Sequence, residues 1–346
     1  MLLAADVGGT KTLLGLFARA PERPTRIEVG EFTTLDYDDL VPMIREFLKA
    51  SAVEAGAIEA ATFGVAGAVT EQVARLTNVP WVVDAAAVMT TAGIRGVHIL
   101  NDLEAMAHSV AVLEPSELAV LQHGVAQPGG NAAVIAAGTG LGEAFLLNLD
   151  GRFLPGASEA GHADWGARTP REIEMLTALV RIYGRCSVEH VVCGPGLVNI
   201  YQFTHDAFGN RTYITPAALV PARTCAGVGA IDDPADLPAA ISRSALEQRC
   251  PLCVEALELF VMAYGAEAGN LALRTVATAG VYVGGGIAPK ILPALETGAF
   301  VDAFRSKEPL SAFVATIPIA VILNSEAGLL GAAVHAQGEL LRDQRR

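Results

Sequence analysis

The stretch Leu3-Ala4-Ala5-Asp6-Val7-Gly8-Gly9-Thr10-Lys11-Thr12-Leu13-Leu14-Gly15-Leu16-Phe17 decides the fold. Apolar residues run up to Val7, two glycines and Thr10 interrupt them, and apolar residues resume at Leu13, the pattern of two strands joined by a tight glycine turn. Such a turn at the end of a buried strand lets backbone N–H groups approach phosphate oxygens with no Cβ in the way. By itself it is equally compatible with a plain hairpin. Asp6 strengthens the phosphate reading, because a carboxylate among apolar residues two positions before the turn can hold water-coordinated Mg²⁺. Thr10 adds a hydroxyl.

The same arrangement returns about 130 residues later. Ala132 to Ala137 reads as a strand, Gly138-Thr139-Gly140-Leu141-Gly142 as the turn, and Glu143 to Leu149 as the return strand. Two such turns can grip one triphosphate from both sides. A third turn, Gly284-Gly285-Gly286-Ile287, follows a strand over Gly280 to Val283 and is expected to open a helix, which suits an adenosine or α-phosphate contact. A helix packing closely on a strand would want the same small residues.

Apolar periodicity predicts helices over Thr34–Ala50, Leu103–Leu113, Glu172–Tyr183, Cys253–Ala277 and Leu329–Leu341, and strands over Ala61–Ala68 and Val97–Leu100. Asn101-Asp102 ends the last of these strands and opens a helix, a usual place for an α/β active site. Read alone, Asp102 is equally a helix cap. His205 to Pro238, rich in Pro, Gly and Thr, reads as loops and short elements.

With 346 residues, 52% hydrophobic and 18% charged, the chain is long enough to bury two cores on either side of a cleft. Its 24 Lys plus Arg against 37 Asp plus Glu give a net charge of −13, the wrong sign for neutralising nucleic-acid phosphates or hugging anionic lipid. No nucleic-acid or membrane partner is expected, and a small molecule is. A polyanion such as ATP must then be met by backbone N–H groups and a metal ion, a need that the 35 glycines fit. Met1 to Asp6 has no basic segment and meets an acid early, so no secretory leader is expected. The longest uncharged apolar stretch, between Arg274 and Lys290, is too short to span a bilayer, and a cytoplasmic location is expected.

The five cysteines, Cys186, Cys193, Cys225, Cys250 and Cys253, are odd in number and lack framework spacing, which suits a reducing compartment. Cys250-Pro-Leu-Cys253 is followed by neither the second cysteine pair nor the histidine pair that a zinc ribbon needs. It reads as an incidental or structural thiol pair, with redox or metal roles as the alternatives.

Phosphate-binding hairpins in two related halves resemble the actin-like ATPase (ribonuclease H-like) fold of hexokinases, sugar kinases and the heat-shock ATPase. Within that group Asp6-Val7-Gly8-Gly9-Thr10, Leu100-Asn101-Asp102, Gly138-Thr139-Gly140-Leu141-Gly142, Glu159-Ala160-Gly161-His162, Ser187-Val188-Glu189, Cys193-Gly194-Pro195-Gly196-Leu197-Val198-Asn199 and Gly284-Gly285-Gly286-Ile287 are similar in order and spacing to the bacterial glucokinase family. The similarity runs from Leu3 to about His335.

The resemblance implies two α/β domains of mixed sheets flanked by helices, 1–111 plus 322–346 and 112–321, with the active-site cleft between them. It implies ATP and Mg²⁺ as cofactors, glucose or a similar hexose as acceptor, and a homodimer. Asp102 is implied as the general base, and Asn101, Glu159, His162 and Glu189 as holders of the other hydroxyls. Gly8, Gly9, Thr10, Gly138, Thr139, Gly140, Gly284, Gly285 and Gly286 would surround the nucleotide, with Asp6 reaching Mg²⁺ through water.

Residue chemistry agrees, since sugar hydroxyls both donate and accept, and carboxylates, an amide and an imidazole satisfy them in a buried pocket. A helix N-terminus favours the charged carboxylate at Asp102, so that group takes its proton late and mainly orients the hydroxyl. Closure of the domains would keep water from the donor.

Rival readings are a broader hexose kinase, a non-catalytic sugar sensor or regulator, and an ATPase that moves a partner protein; polyphosphate or ADP could replace ATP as donor. A regulator would need a DNA-reading module, and a motor would need neither Asn101-Asp102 nor the Glu-x-x-His pair. The repressor and sugar-kinase family shares Asp6 to Lys11 and Glu159-x-x-His162 but adds a cysteine-rich zinc motif soon after the histidine. Here Ala163-Asp164-Trp165-Gly166-Ala167-Arg168 follows, with no cysteine until Cys186, which excludes that family's zinc. Lys11 stands where glucokinases more often have Asn, and it either contacts a terminal phosphate or sits exposed. The segment His205 to Pro238 departs from the family pattern in length and makeup.

Overall fold

In the computed structural model, which describes residues 1–76, 79–208 and 224–343, the opening stretch folds as β1 (Leu2–Val7) and β2 (Lys11–Ala18), antiparallel, with Val7 opposite Thr12. Strands β3 (Thr25–Thr33), β4 (Ala60–Val65), β5 (Val69–Thr70), β6 (Val73–Arg75), β7 (Val82–Asp84) and β8 (Val97–Asn101) follow. They form one sheet in the order β3-β2-β1-β4-β8 and a small one, β5-β6-β7; β4 and β8 run parallel to β1. Helices α1 (Leu40–Ala50), α2 (Ala85–Ala92) and α3 (Asp102–Ser109) lie among these strands in the chain. They belong to a unit made of Met1–Glu117, Arg152–Ala157 and Asn324–Arg346.

Strand periodicity sorts the side chains of β1 between two cores. Leu3, Ala5 and Val7 pack with Leu40, Ile44 and Phe47 of α1. Leu2 and Ala4 point the other way, into a cluster with Leu329, Ala332, Ala333 and Ala336. Asp6 shares that second face.

The second unit, Leu118–Gly151 and Ser158–Leu323, repeats the plan. After β9 (Leu118–Gln122), β10 (Ala132–Ala137) and β11 (Leu141–Leu149) form an antiparallel hairpin with Ala137 opposite Leu141. In chain order β12 (Arg152–Ser158), of which Arg152–Ala157 belong to the first unit, β13 (Gly280–Gly284) and β14 (Ile319–Ile322) follow; β13 is parallel to β10, and β14 to β13. The series β11-β10-β13-β14 thus reproduces β2-β1-β4-β8, and the internal echo read in the sequence is a repeat of topology. Around this sheet come α4 (Pro170–Tyr183), α5 (Gly194–Thr204), α6 (Leu237–Leu246), α7 (Pro251–Thr275), α8 (Leu292–Leu295), α9 (Ala299–Arg305) and α10 (Ser311–Val314). Helix α4 starts where Thr169 and Glu172 form a reciprocal capping box with Pro170 in the first turn, and stops at left-handed Gly184. The last helix, α11 (Ala327–Asp343), returns to the first unit.

Two predicted elements differ. The helix expected over Thr34–Ala50 begins only at Leu40, behind an Asp39 cap, because Thr34 is held by the first glycine turn instead. The third glycine turn does not open a regular helix. It leads to a 3-10 turn, Ala288–Ile291, and then to four-residue α8, since Pro289 and Pro293 lack the N–H groups that a continuous helix would use. The loop reading of His205–Pro238 falls partly on residues 209–223, outside the described ones. Among the described residues no helix is long and apolar enough to cross a membrane.

Candidate active site

In the first unit, Val7 lies beside Val65, and Val65 beside Asn101, on three parallel strands. The Gly8-Gly9-Thr10 turn and Asp102 therefore leave the same carboxyl edge of the sheet, two strand spacings or about 10 Å apart. Ligands of open α/β sheets bind at that edge.

The turn closes through Gly8 N–H donating to the Lys11 carbonyl at 3.0 Å. Buried Thr34 braces it: its hydroxyl donates to the Gly8 carbonyl at 2.8 Å and lies 2.9 Å from the Thr12 hydroxyl, and its N–H donates to the Thr10 carbonyl at 2.9 Å. In the sequence Thr34 falls at the start of the expected Thr34–Ala50 helix, and no local signal marks it as a brace. Lys11 is 53% accessible and paired with Glu31 at 2.6 Å.

Asn101 and Asp102 divide the work at the start of α3. Asn101 is the cap: its Oδ1 accepts from Leu103 N–H at 3.0 Å and Glu104 N–H at 3.3 Å, while its Nδ2 donates to the Gly67 carbonyl at 3.2 Å. The capping role that Asp102 could have had belongs to its neighbour. Asp102 is the first helical residue, and its Oδ1 accepts the Leu103 N–H at 2.8 Å. Asp6 is surrounded by protein atoms yet keeps partial solvent access. Burial, and then the charge of Asp102, push its carboxyl up to about 7, with Lys11 pulling the other way. A hard divalent cation, taking oxygen ligands and water, fits that carboxylate and would offset its repulsion with Asp102.

In the second unit, Gly138 N–H donates to the Gly140 carbonyl at 2.8 Å to close the second turn. Glu189 clamps this turn, its Oε2 accepting the Leu141 N–H at 2.8 Å while its Oε1 lies 4.0 Å from His162 Nδ1. It gets there because residues 161–165 run beside 186–189: Glu189 N–H donates to the Gly161 carbonyl at 2.9 Å, and Trp165 N–H to the Cys186 carbonyl at 3.0 Å. An ordinary surface acid in the sequence is thus a brace of the turn. Glu159 and His162, both exposed, bracket one 3-10 turn, in which positions three apart eclipse. Arg185 donates to the His162 carbonyl and pairs with Asp164 at 2.7 Å, steadying that segment.

A cavity of about 550 Å³ opens beside the second turn, lined by Gly138, Thr139, Gly194, Asn199, Gly286 and Lys290 among others. Gly194, at the start of eleven-residue α5, donates its N–H to the Gly138 carbonyl at 2.9 Å, so this helix N-terminus borders both turn and cavity. Cys193 caps the helix with its sulfur, which accepts Gly196 N–H at 3.2 Å; burial pushes its thiol up to about 12, so it stays neutral. Lys290 is the one charged residue among the described lining. Walls of Leu197, Ile287, Pro234 and Pro238 suit an aromatic base.

The third turn splits its roles. Gly284 ends β13, its carbonyl accepting the Tyr264 hydroxyl at 3.3 Å. Gly285 has φ +82°, and a Cβ there would come 2.4 Å from the Ala137 carbonyl oxygen, so close packing on the second hairpin explains it. Gly286 lines the cavity.

Repeated strand–glycine turn–strand hairpins on twin mixed sheets define the actin-like ATPase fold, the class to which the sugar kinases belong. The profile of the glucokinase family matches residues 3–339. A glucokinase of Synechocystis sp. is 38% identical over 345 residues, covering 96% of this chain and 97% of that protein. One of Nostoc sp. is 38% identical over 340 residues, covering 97% and 98%. The crystal structure of a glucokinase from an Antarctic psychrotroph, 26% identical, matches with a TM-score of 0.81 over 97% of this chain and 98% of that one. The chain belongs to the glucokinase family.

Proposed function

We propose that this protein transfers the γ-phosphoryl group of ATP to the 6-hydroxyl of glucose, giving glucose 6-phosphate and ADP. The observation that carries the reading is Asp102 at the head of α3, on the same sheet edge as the first glycine turn and already aimed by the Leu103 N–H. Asp102 orients the 6-hydroxyl and receives its proton as the new O–P bond forms and the bond to the β–γ bridging oxygen breaks. Asn101 offers the sugar its second Nδ2 hydrogen, and Glu159, His162 and Glu189 hold the remaining hydroxyls. Gly8, Gly9 and Thr10 meet the phosphates from one turn and Gly138, Thr139 and Gly140 from the other, while Gly286 and Lys290 border the nucleoside. Asp6 would hold Mg²⁺ through water, and the ion would supply neutralisation of phosphate charge.

The labour divides along the expected domains. Residues 1–111 plus 322–346 supply Asp6, Asn101, Asp102 and the first turn; 112–321 supply the other turns and the Glu159, His162 and Glu189 group. A cytoplasmic homodimer completes the reading. Coupled ADP release across a panel of hexoses and donors tests it, with glucose and ATP expected to give the highest kcat/KM. ATP turnover at the same rate without sugar would overturn it.

A further inference from the structure

The Cys250–Cys253 pair, an incidental or structural thiol pair by sequence with metal binding among its alternatives, is not alone in the fold. Cys250 precedes the first turn of α7 and Cys253 lies within it. His205, the residue that ends α5, and Cys225 come from upstream to meet them. One ligand atom from each of the four lies within 4.8 Å of every other. No partner pair follows Cys250 in the sequence; the fold supplies both partners from earlier in the chain.

We propose that His205, Cys225, Cys250 and Cys253 form a structural zinc site. A tetrahedral ion with Zn–S near 2.3 Å and Zn–N near 2.0 Å requires S···S edges of about 3.8 Å and S···N edges of about 3.5 Å. Cys225 Sγ lies 3.7 Å from Cys253 Sγ, and Cys250 Sγ lies 3.5 Å from His205 Nε2. Three thiolates and an imidazole are a soft set that selects zinc over magnesium or calcium, and four protein ligands leave no open position for catalysis.

The surrounding shell is already organised. His205 Nδ1 lies 2.8 Å from the Tyr201 carbonyl, which can only accept, so Nδ1 carries the proton and Nε2 presents its lone pair toward the sulfurs. The Tyr201 hydroxyl accepts the Cys225 N–H at 2.8 Å, fixing the third ligand from the same side chain whose ring packs at a tilt against His205, 4.0 Å between centroids. Gly227 lets the Cys225 turn approach: a Cβ there would come 2.8 Å from the Cβ of Cys250 and 2.7 Å from the Ser244 hydroxyl.

Such an ion would tie the end of α5 and the Cys225 turn to the start of α7, and the chain leaving Cys225 leads to Pro234, Ala235 and Pro238 in the cavity wall. The site therefore holds one wall of the cavity without touching what binds there. Binding of zinc stands independently of the kinase reading.

The test is metal analysis of the untagged protein purified without chelator. We expect one zinc per chain, and an X-ray absorption shell of three sulfurs and one nitrogen. Displacement of zinc by a chelator should release thiols that titrate as five per denatured chain. Cys225→Ser and Cys253→Ser should each lower zinc affinity at least ten-fold, whereas Cys186→Ser, away from the cluster, should leave it unchanged. Zinc well below one per chain after equilibration with zinc chloride, a shell without sulfur, or a Cys225–Cys253 disulfide found by mass spectrometry would each overturn the proposal. The absorption spectrum of the unaltered protein decides even if a variant fails to fold.

Discussion

At the scale of single residues, Asp102 and Thr34 carry the sharpest expectations. Asp102→Asn keeps the side-chain oxygen that accepts the Leu103 N–H but cannot take a proton. Glucose should still bind, by calorimetry, while kcat falls by roughly 10²–10⁴; retention of most turnover would remove Asp102 as the base. Thr34→Val fills the same volume and strands the Gly8 carbonyl, at a cost of roughly 1–3 kcal/mol. That variant should melt lower and show a raised KM for ATP with little change in KM for glucose. Equal effects on both would mean that Thr34 does not act through the glycine turn. Lys290, the charged residue of the cavity lining, should matter for the donor alone, and Lys290→Ala should raise KM for ATP about ten-fold, the loss of one charge-assisted contact.

At the scale of elements, the proposal gives one side chain at the start of α3 both jobs, cap and sugar holder. Ser caps a helix about as well as Asn but lacks the amide donor. Asn101→Ser should therefore keep the melting temperature and weaken glucose, whereas Asn101→Ala should lose about 1 kcal/mol of stability as well. If both variants bind glucose normally, Asn101 is a cap and nothing more. The helix start was legible in the sequence, because an Asn-Asp pair after an apolar strand is a local signal. Which of the two caps was not, since the side-chain torsions depend on Gly67 across the loop. Thr34 was hidden for the same reason: its partners are Gly8, Thr10 and Thr12, some two dozen positions earlier.

At the scale of the whole molecule, acid should weaken the protein through its first unit. His335 packs edge-on against His98 and His108, at 5.5 and 4.9 Å between ring centres, with Thr62 at 3.0 Å and Glu339 at 3.7 Å. Burial first, then His108, His98 and Arg342, pull His335 down to about 3. Burial and then Arg342 pull His108 to about 4. Both bind protons less readily when folded than the ordinary value near 6.5 allows. Their contribution is complete above that pH and is lost as pH falls toward 4 and 3, by up to about 1.4 kcal/mol per pH unit for each group. The melting temperature should drop between pH 7 and pH 5, less steeply in His108→Phe; an identical slope would show that other groups control acid stability.

The sequence by itself determined the two hairpins, their repeat, the strand-to-helix step at Asn101-Asp102 and hence the family, because glycine turns, caps and apolar periods are written in neighbouring residues. Only the tertiary structure decided that Glu189 clamps the second turn, that Gly285 serves packing while Gly286 faces the cavity, and that His205 and Cys225 join Cys250 and Cys253. These are contacts between residues tens of positions apart, and their energy exists only once the elements have packed. Local chemistry foretells the elements, and burial decides which side chains meet.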